Sequence, residues 1–165
     1  MKVQKVLGFI SDIGIALVIT TVLSVYIFQF IGINTFIVRS GSMEPTFLTG
    51  SLCFVDTKSN YDEVKVGDVI AFKLQDSLVT HRVIEILPEG MVTKGDNNDI
   101  SDGLTTTKDN FVGENILALP YLGYGLSWIQ TKKGKIITVT VVLALIVINI
   151  ILSELDINNK KKDSD

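Results

Sequence analysis

Gly67-Asp68-Val69-Ile70-Ala71-Phe72-Lys73-Leu74, followed after three residues by Leu78-Val79-Thr80-His81-Arg82-Val83-Ile84-Glu85-Ile86, is the stretch on which the fold turns. It contains two short apolar runs, the first opened by a Gly-Asp turn signal. Runs of this length, rich in Val, Ile and Phe and bounded by turn residues, read as β-strands. The same grammar extends in both directions. Leu52–Val55 precedes the stretch, and Met91–Thr93 and Ile116–Leu119 follow it. Gly50, Pro88-Glu89-Gly90 and Gly95-Asp96-Asn97-Asn98 punctuate them as turns. No long pattern of helical period stands out between these signals. Residues 39–131 are therefore expected to form a mainly β domain, with its chemistry on strand ends and loops.

Outside the middle region the chain changes character. From Ile13 to Val38 there are 26 residues without a charge, and from Ile136 to Ser153 another 18. About 20 apolar residues cross a bilayer core as a helix, and an all-round apolar stretch is hard to bury in a small soluble fold. Two transmembrane helices are expected to flank the β domain: an anchor within residues 1–38, spanning about 13–38, and a second helix at 132–153. A charged tail, 154–165, is expected to be disordered. The first run exceeds the usual apolar core of a cleaved signal peptide and is followed by no small-x-small pattern, so it reads as a retained anchor. A helix buried in a soluble fold is the alternative for the second run, against which stands the small size of the middle domain.

Lys2 and Lys5 favour a cytoplasmic N-terminus. Two spans then return Lys160, Lys161 and Lys162 to the cytoplasm and leave residues 39–131 on the extracytoplasmic side of the cell membrane. Lys132, Lys133 and Lys135 run against that orientation. Pro120–Trp128, rich in Tyr and Trp, suits the bilayer interface, so the lipid bilayer is an expected partner.

Composition excludes several classes. The chain is 47% hydrophobic, with a net charge of -3 and scattered Lys and Arg. No basic stripe interleaved with aromatics marks a nucleic-acid surface. One cysteine, Cys53, and one histidine, His81, cannot build an internal disulfide or a metal site. No cofactor or metal is expected. Cys53 could pair with the lone histidine as a cysteine protease, but its place among Leu52, Phe54 and Val55 reads as core.

Directly after the first apolar run comes Arg39-Ser40-Gly41-Ser42-Met43-Glu44-Pro45-Thr46. Then follow Gly67-Asp68-Val69-Ile70-Ala71-Phe72, Thr80-His81-Arg82-Val83-Ile84 and Thr93-Lys94-Gly95-Asp96-Asn97-Asn98. These four blocks, in this order behind an N-terminal anchor, resemble the type I signal peptidases, in the serine–histidine branch found in archaea, the endoplasmic reticulum and some Gram-positive bacteria. The resemblance covers about Val38 to Leu119.

A serine hydroxyl needs a neighbouring base, and an imidazole base in this chain can only be His81. The resemblance implies Ser42 as nucleophile, with Ser40 and the Ser42 backbone N–H holding the oxyanion. It implies two aspartates at the site, Asp96 in the Gly-Asp-Asn-Asn turn and Asp102, the second family aspartate, in Ser101-Asp102-Gly103. Which of them orients His81 is left open by the sequence, with Asp102 favoured by the resemblance for that role and Asp96 for shaping the site. Asp99 has no family counterpart. Lys73 and Lys94 are the rival bases, since the common bacterial branch carries a lysine where this chain has His81. Only residues 83–93 separate His81-Arg82 from Lys94, so the large inserted subdomain of many bacterial relatives is absent.

The expected activity is cleavage of signal peptides from secreted preproteins after small residues, with other membrane subunits an open partner class. Ser42 follows Val38 by four residues, which puts it within about 13–14 Å of that run's end in an extended chain. The rivals are a self-cleaving regulator on the same fold and a non-catalytic membrane-anchored adaptor.

Overall fold

The computed structural model describes residues 2–75 and 77–162. They fall into two compact units. One comprises Phe28–Trp128, and the other the chain up to Ile27 and from Ile129 onward.

Phe28–Trp128 is built on one seven-stranded antiparallel sheet. Its strands are β1 (Ile33–Ile37), β2 (Leu52–Asp56), β3 (Val69–Leu74), β4 (Ser77–Leu87), β5 (Gly90–Lys94), β6 (Thr105–Thr106) and β7 (Phe111–Leu119), in the spatial order β1-β2-β7-β3-β4-β5-β6. The paired apolar runs of the opening stretch are β3 and β4, in register with Ile70 opposite His81 and Val69 opposite Arg82. Beneath them Val64, Ile70, Phe72, Val83 and Met91 form a buried cluster, against which Tyr61, Leu74, Val79 and Phe111 pack. Successive strand residues face opposite sides, so in β4 His81 and Val83 are buried while Arg82 between them is half-exposed. Cys53 belongs to the core, 1% exposed.

Five of the seven strands lie where short apolar runs predict them. Strand β7 starts at Phe111, ahead of the expected Ile116, because Gly113-Glu114-Asn115 interrupts the apolar pattern while the backbone continues to pair with β2 and β3. Strand β6 has two residues and no apolar signal. The aromatic segment after Pro120 contains a short helix, α2 (Leu122–Gln130).

The first apolar run requires a correction. Helix α1 (Lys2–Ile31) ends at Ile31, and residues 33–37 form β1, paired with β2. The run that reads as one span to Val38 is thus a helix followed by a strand. Hydropathy alone cannot separate them, because a strand of Ile, Phe and Thr is as charge-free as a bilayer helix. Gly32 marks the break: with φ at +95° it takes the left-handed conformation that ends a helix at low cost. Its carbonyl accepts hydrogen bonds from the Thr57 N–H and hydroxyl.

Helices α1 and α3 (Lys132–Lys162) each contain 24 residues long and apolar enough to cross a membrane, Gly8–Ile31 and Lys132–Leu155. Several of their hydroxyls donate within the helix, Thr21 to the Leu17 carbonyl and Thr140 to that of Ile136. Asp12 accepts a hydrogen bond from the Asn149 amide at 2.6 Å. Helix α3 also corrects the expected disorder after Ser153: it continues to Lys162, in a segment free of Gly and Pro.

Candidate active site

Ser42 lies in the loop that joins β1 to β2. Two backbone bonds at its neck, Val38 N–H to the Ser51 carbonyl and Gly50 N–H to the Val38 carbonyl, close this loop on itself. Inside it Glu44 accepts from the Thr49 N–H and hydroxyl, at 3.2 and 2.9 Å. Met43, 2% exposed, drives its side chain into the interior. Burying such a side chain is worth roughly 1.5–3 kcal/mol, so the residue beside Ser42 is anchored while Ser42 itself stays half-exposed.

His81 is delivered by β4. Its ring stands edge-on to Phe72 of β3, with centroids 6.3 Å apart. Its Nε2 lies 3.0 Å from Ser42 Oγ, and its Nδ1 lies 2.8 Å from one Asp102 carboxylate oxygen and 2.9 Å from the other. The His81 and Asp102 side chains are 9% and 8% exposed, so water has little access to this pair. A neutral imidazole with Nδ1–H given to a carboxylate presents a bare Nε2 to the hydroxyl, the tautomer a general base requires. Ser40 Oγ is 3.3 Å from Ser42 Oγ, near enough to share a bound oxygen.

Asp96 is not against His81. It takes a two-pronged hydrogen bond from Arg82, Nε at 2.8 Å and the terminal nitrogen at 2.6 Å. The other Arg82 nitrogen donates to the Gly67 carbonyl at 2.8 Å. The Arg82 hydrogen bonds hold the Asp96 carboxyl below the usual carboxylate range against the opposing effect of burial, aided by a hydrogen bond from Thr46. Asp96 thus joins β4, which carries His81, to the serine loop, which carries Thr46.

The Gly95–Asn98 turn closes on the same loop. The Asn97 backbone N–H donates to the Ser42 carbonyl at 2.8 Å, and its side-chain amide to the Gly41 carbonyl at 3.2 Å. A Cβ on Gly95 would lie 2.5 Å from the Ser42 carbonyl oxygen, closer than any real contact, so only glycine admits this approach.

Of the other residues singled out in the sequence, Asp99 is exposed in its loop, Lys73 is exposed on β3 and Lys94 is half-buried at the end of β5. Neither lysine hydrogen-bonds Ser42 among the described residues. Burial pushes the Cys53 thiol up to about 11; a thiol so protonated is a poor nucleophile. Sequence reading passes over Thr93, whose hydroxyl donates to Asp102 at 2.5 Å. It also passes over the Arg82–Asp96 pair and the Asn97 clasp. The signal lay in the motif blocks that contain these residues, but partners this far apart in the chain leave no spacing to read.

The sequence model of the family described as "Signal peptidase, peptidase S26" matches residues 9–112. The chain is 44% identical over 79 residues to Signal peptidase I W of Bacillus subtilis, covering 44% of this chain and 41% of that protein. It is 30% identical over 126 residues to the signal peptidase complex catalytic subunit SEC11 of Colletotrichum graminicola, covering 65% of this chain and 73% of that protein. It is 37% identical over 101 residues to the human catalytic subunit SEC11C, covering 53% and 52% respectively. The chain therefore spans well under two thirds of the length of the Bacillus relative and about half of the human one.

Proposed function

Given that the chain belongs to the signal peptidase family, peptidase S26, we propose that it is a membrane-anchored serine endopeptidase that removes signal peptides from secreted preproteins. The observation that carries this reading is the continuous line from Ser42 Oγ through His81 to the Asp102 carboxylate, at 3.0 and then 2.8 Å. In the first half-reaction Ser42 Oγ attacks the scissile carbonyl as its proton passes to His81 Nε2. Asp102 holds the ring and stabilises the imidazolium. Charge that builds on the carbonyl oxygen is met by the Ser42 backbone N–H and the Ser40 hydroxyl. Each such donor lowers the barrier by roughly 3–4 kcal/mol. The imidazolium returns its proton to the leaving amine. Water, activated by the same nitrogen, then releases the acyl group.

The proposed setting is the cell membrane, with α1 and α3 as its two spans and the β domain on the extracytoplasmic side. The length and apolar character of both helices support their reading as spans. A precursor held in the same bilayer by its own apolar segment would meet the enzyme in two dimensions, which reduces the cost of alignment. Small residues before the cut, and partner subunits such as those implied by the name "signal peptidase complex" of the SEC11 relatives, belong to the same proposal.

The test is incubation of the detergent-purified chain with a labelled preprotein, followed by N-terminal sequencing of the product. One new N-terminus directly after a small residue is expected. An uncleaved preprotein would overturn the reading.

A further inference from the structure

Thr93 is fully buried on β5, opposite Val83 of β4 and two strand positions from the level of His81. It meets Asp102 twice. The Asp102 backbone N–H donates to the Thr93 carbonyl at 2.9 Å, and the Thr93 hydroxyl donates to Asp102 Oδ2 at 2.5 Å. Asp102 itself lies in an irregular segment between β5 and β6. Such a segment has no ladder of its own to hold a side chain in place, yet both its main chain and its carboxylate are tied to one residue of an internal strand. The hydroxyl is well suited to this. A β-branched residue has few side-chain rotamers, so the direction of the O–H bond is set by the strand. A carboxylate accepts and never donates when ionised, so the bond runs from Thr93 to Asp102.

We propose that Thr93 is a positioning residue for the proposed reaction, a strap that fixes the Asp102 carboxylate against His81 Nδ1. This rests on the assignment of Ser42, His81 and Asp102 made above. The Oδ2 atom is shared between the ring N–H and the Thr93 hydroxyl, and the site is nearly closed to water. Removing the hydroxyl leaves no solvent to replace it. The carboxylate is then free to rotate, and the ring loses the orientation that keeps Nε2 facing Ser42.

Three substitutions, each made in the full-length chain, test the strap. Thr93→Val keeps the branched shape and deletes the donor, and Thr93→Ser keeps the donor. Asp102→Ala removes the group through which Thr93 acts. Thr93→Val should lower kcat on a preprotein roughly ten- to hundred-fold, the range for a hydrogen bond to a charged group, with KM little changed. Thr93→Ser should hold kcat close to wild type. In the Asp102→Ala background Thr93→Val should cost nothing further, since coupled residues are not additive. His81 is the sole histidine, so its ring N–H gives one NMR signal that is read without turnover. That proton should persist in wild type and Thr93→Ser and broaden by exchange in Thr93→Val. Wild-type kcat and an unchanged ring proton in Thr93→Val would overturn the proposal, as would an equal loss in the Asp102→Ala background. A wild-type chain that cleaves no preprotein would refute the proposed function, while the ring proton would still decide the strap.

Discussion

Asp102→Asn is the sharpest test of the proposed chemistry, because it changes one oxygen to an NH₂ group and almost nothing in volume. In the native site both carboxylate oxygens lie within 2.9 Å of His81 Nδ1, and Oδ2 also takes the Thr93 hydroxyl. An amide offers one acceptor. If its oxygen stays with Thr93, its NH₂ faces Nδ1 and forces the ring into the tautomer whose proton sits on Nε2, toward Ser42. The base is then capped by its own hydrogen. If the oxygen turns to Nδ1, the NH₂ is aimed at the Thr93 hydroxyl, and the imidazolium of the transition state still loses its counter-charge. Both arrangements act on the barrier and leave substrate binding alone, so kcat should fall with KM nearly constant. The loss expected for such a triad is roughly 10⁴-fold, which at about 1.4 kcal/mol per tenfold corresponds to about 5.5 kcal/mol. The assay is single-turnover cleavage of a labelled preprotein, with Asp99→Asn and Asp96→Asn measured alongside. Asp99 is exposed and should be silent. Asp96 binds Arg82 and not His81, so its loss should act through the fold. A kcat within tenfold of wild type for Asp102→Asn would refute the reasoning and reduce the site to Ser42 and His81.

Ser42→Ala should abolish cleavage and leave the thermal unfolding of the domain unchanged, since it truncates a half-exposed side chain; residual turnover near wild type would remove Ser42 from the mechanism. The Asp96 carboxyl is held below its ordinary range by Arg82, so its stabilising effect is complete above the unfolded-state value and disappears as pH falls through the folded one. Asp96→Asn should therefore lower domain stability near neutrality by roughly 1 kcal/mol for this partly exposed pair. In melting curves taken as a function of pH, the gap to wild type should close below about pH 4. Cys53 is buried, with its thiol pushed up to about 11. Brief treatment of the folded protein with iodoacetamide at neutral pH should leave activity intact, and rapid inactivation would revive a cysteine mechanism.

Much of this protein is written in short-range patterns. The strands β2, β3, β4 and β5 are legible because each is a brief run rich in Val, Ile, Leu or Phe between turn residues; burial alternates along β2, while Val69–Phe72 of β3 is buried throughout. The two apolar helices are legible because each contains a long run without a charge, from Ile13 in the first and Ile136–Ser153 in the second. The four motif blocks name Ser42, His81 and Asp96, and Ser101-Asp102-Gly103 just beyond them names Asp102, without any knowledge of where they meet. Local pattern stops where different structures share one composition. The boundary at Gly32, where a helix becomes β1, is invisible to hydropathy, because both sides are apolar and only pairing with β2 tells them apart. Strand β7 begins in polar residues because its backbone bonds come from β2 and β3, not from its own side chains. The division of labour between the aspartates was likewise a matter of tertiary structure. Asp96 and Asp102 are six residues apart in one loop, and either could reach an imidazole by spacing alone. The β4–β5 register brings Arg82 beside Lys94 and Val83 beside Thr93; Arg82 then takes Asp96, and Thr93 takes Asp102. Sequence determined which chemical groups the site contains. Hydrogen-bond partners 9 to 39 residues apart determined which group touches which, because a pairing of that separation is specified by the packing of the whole sheet and by no stretch within it.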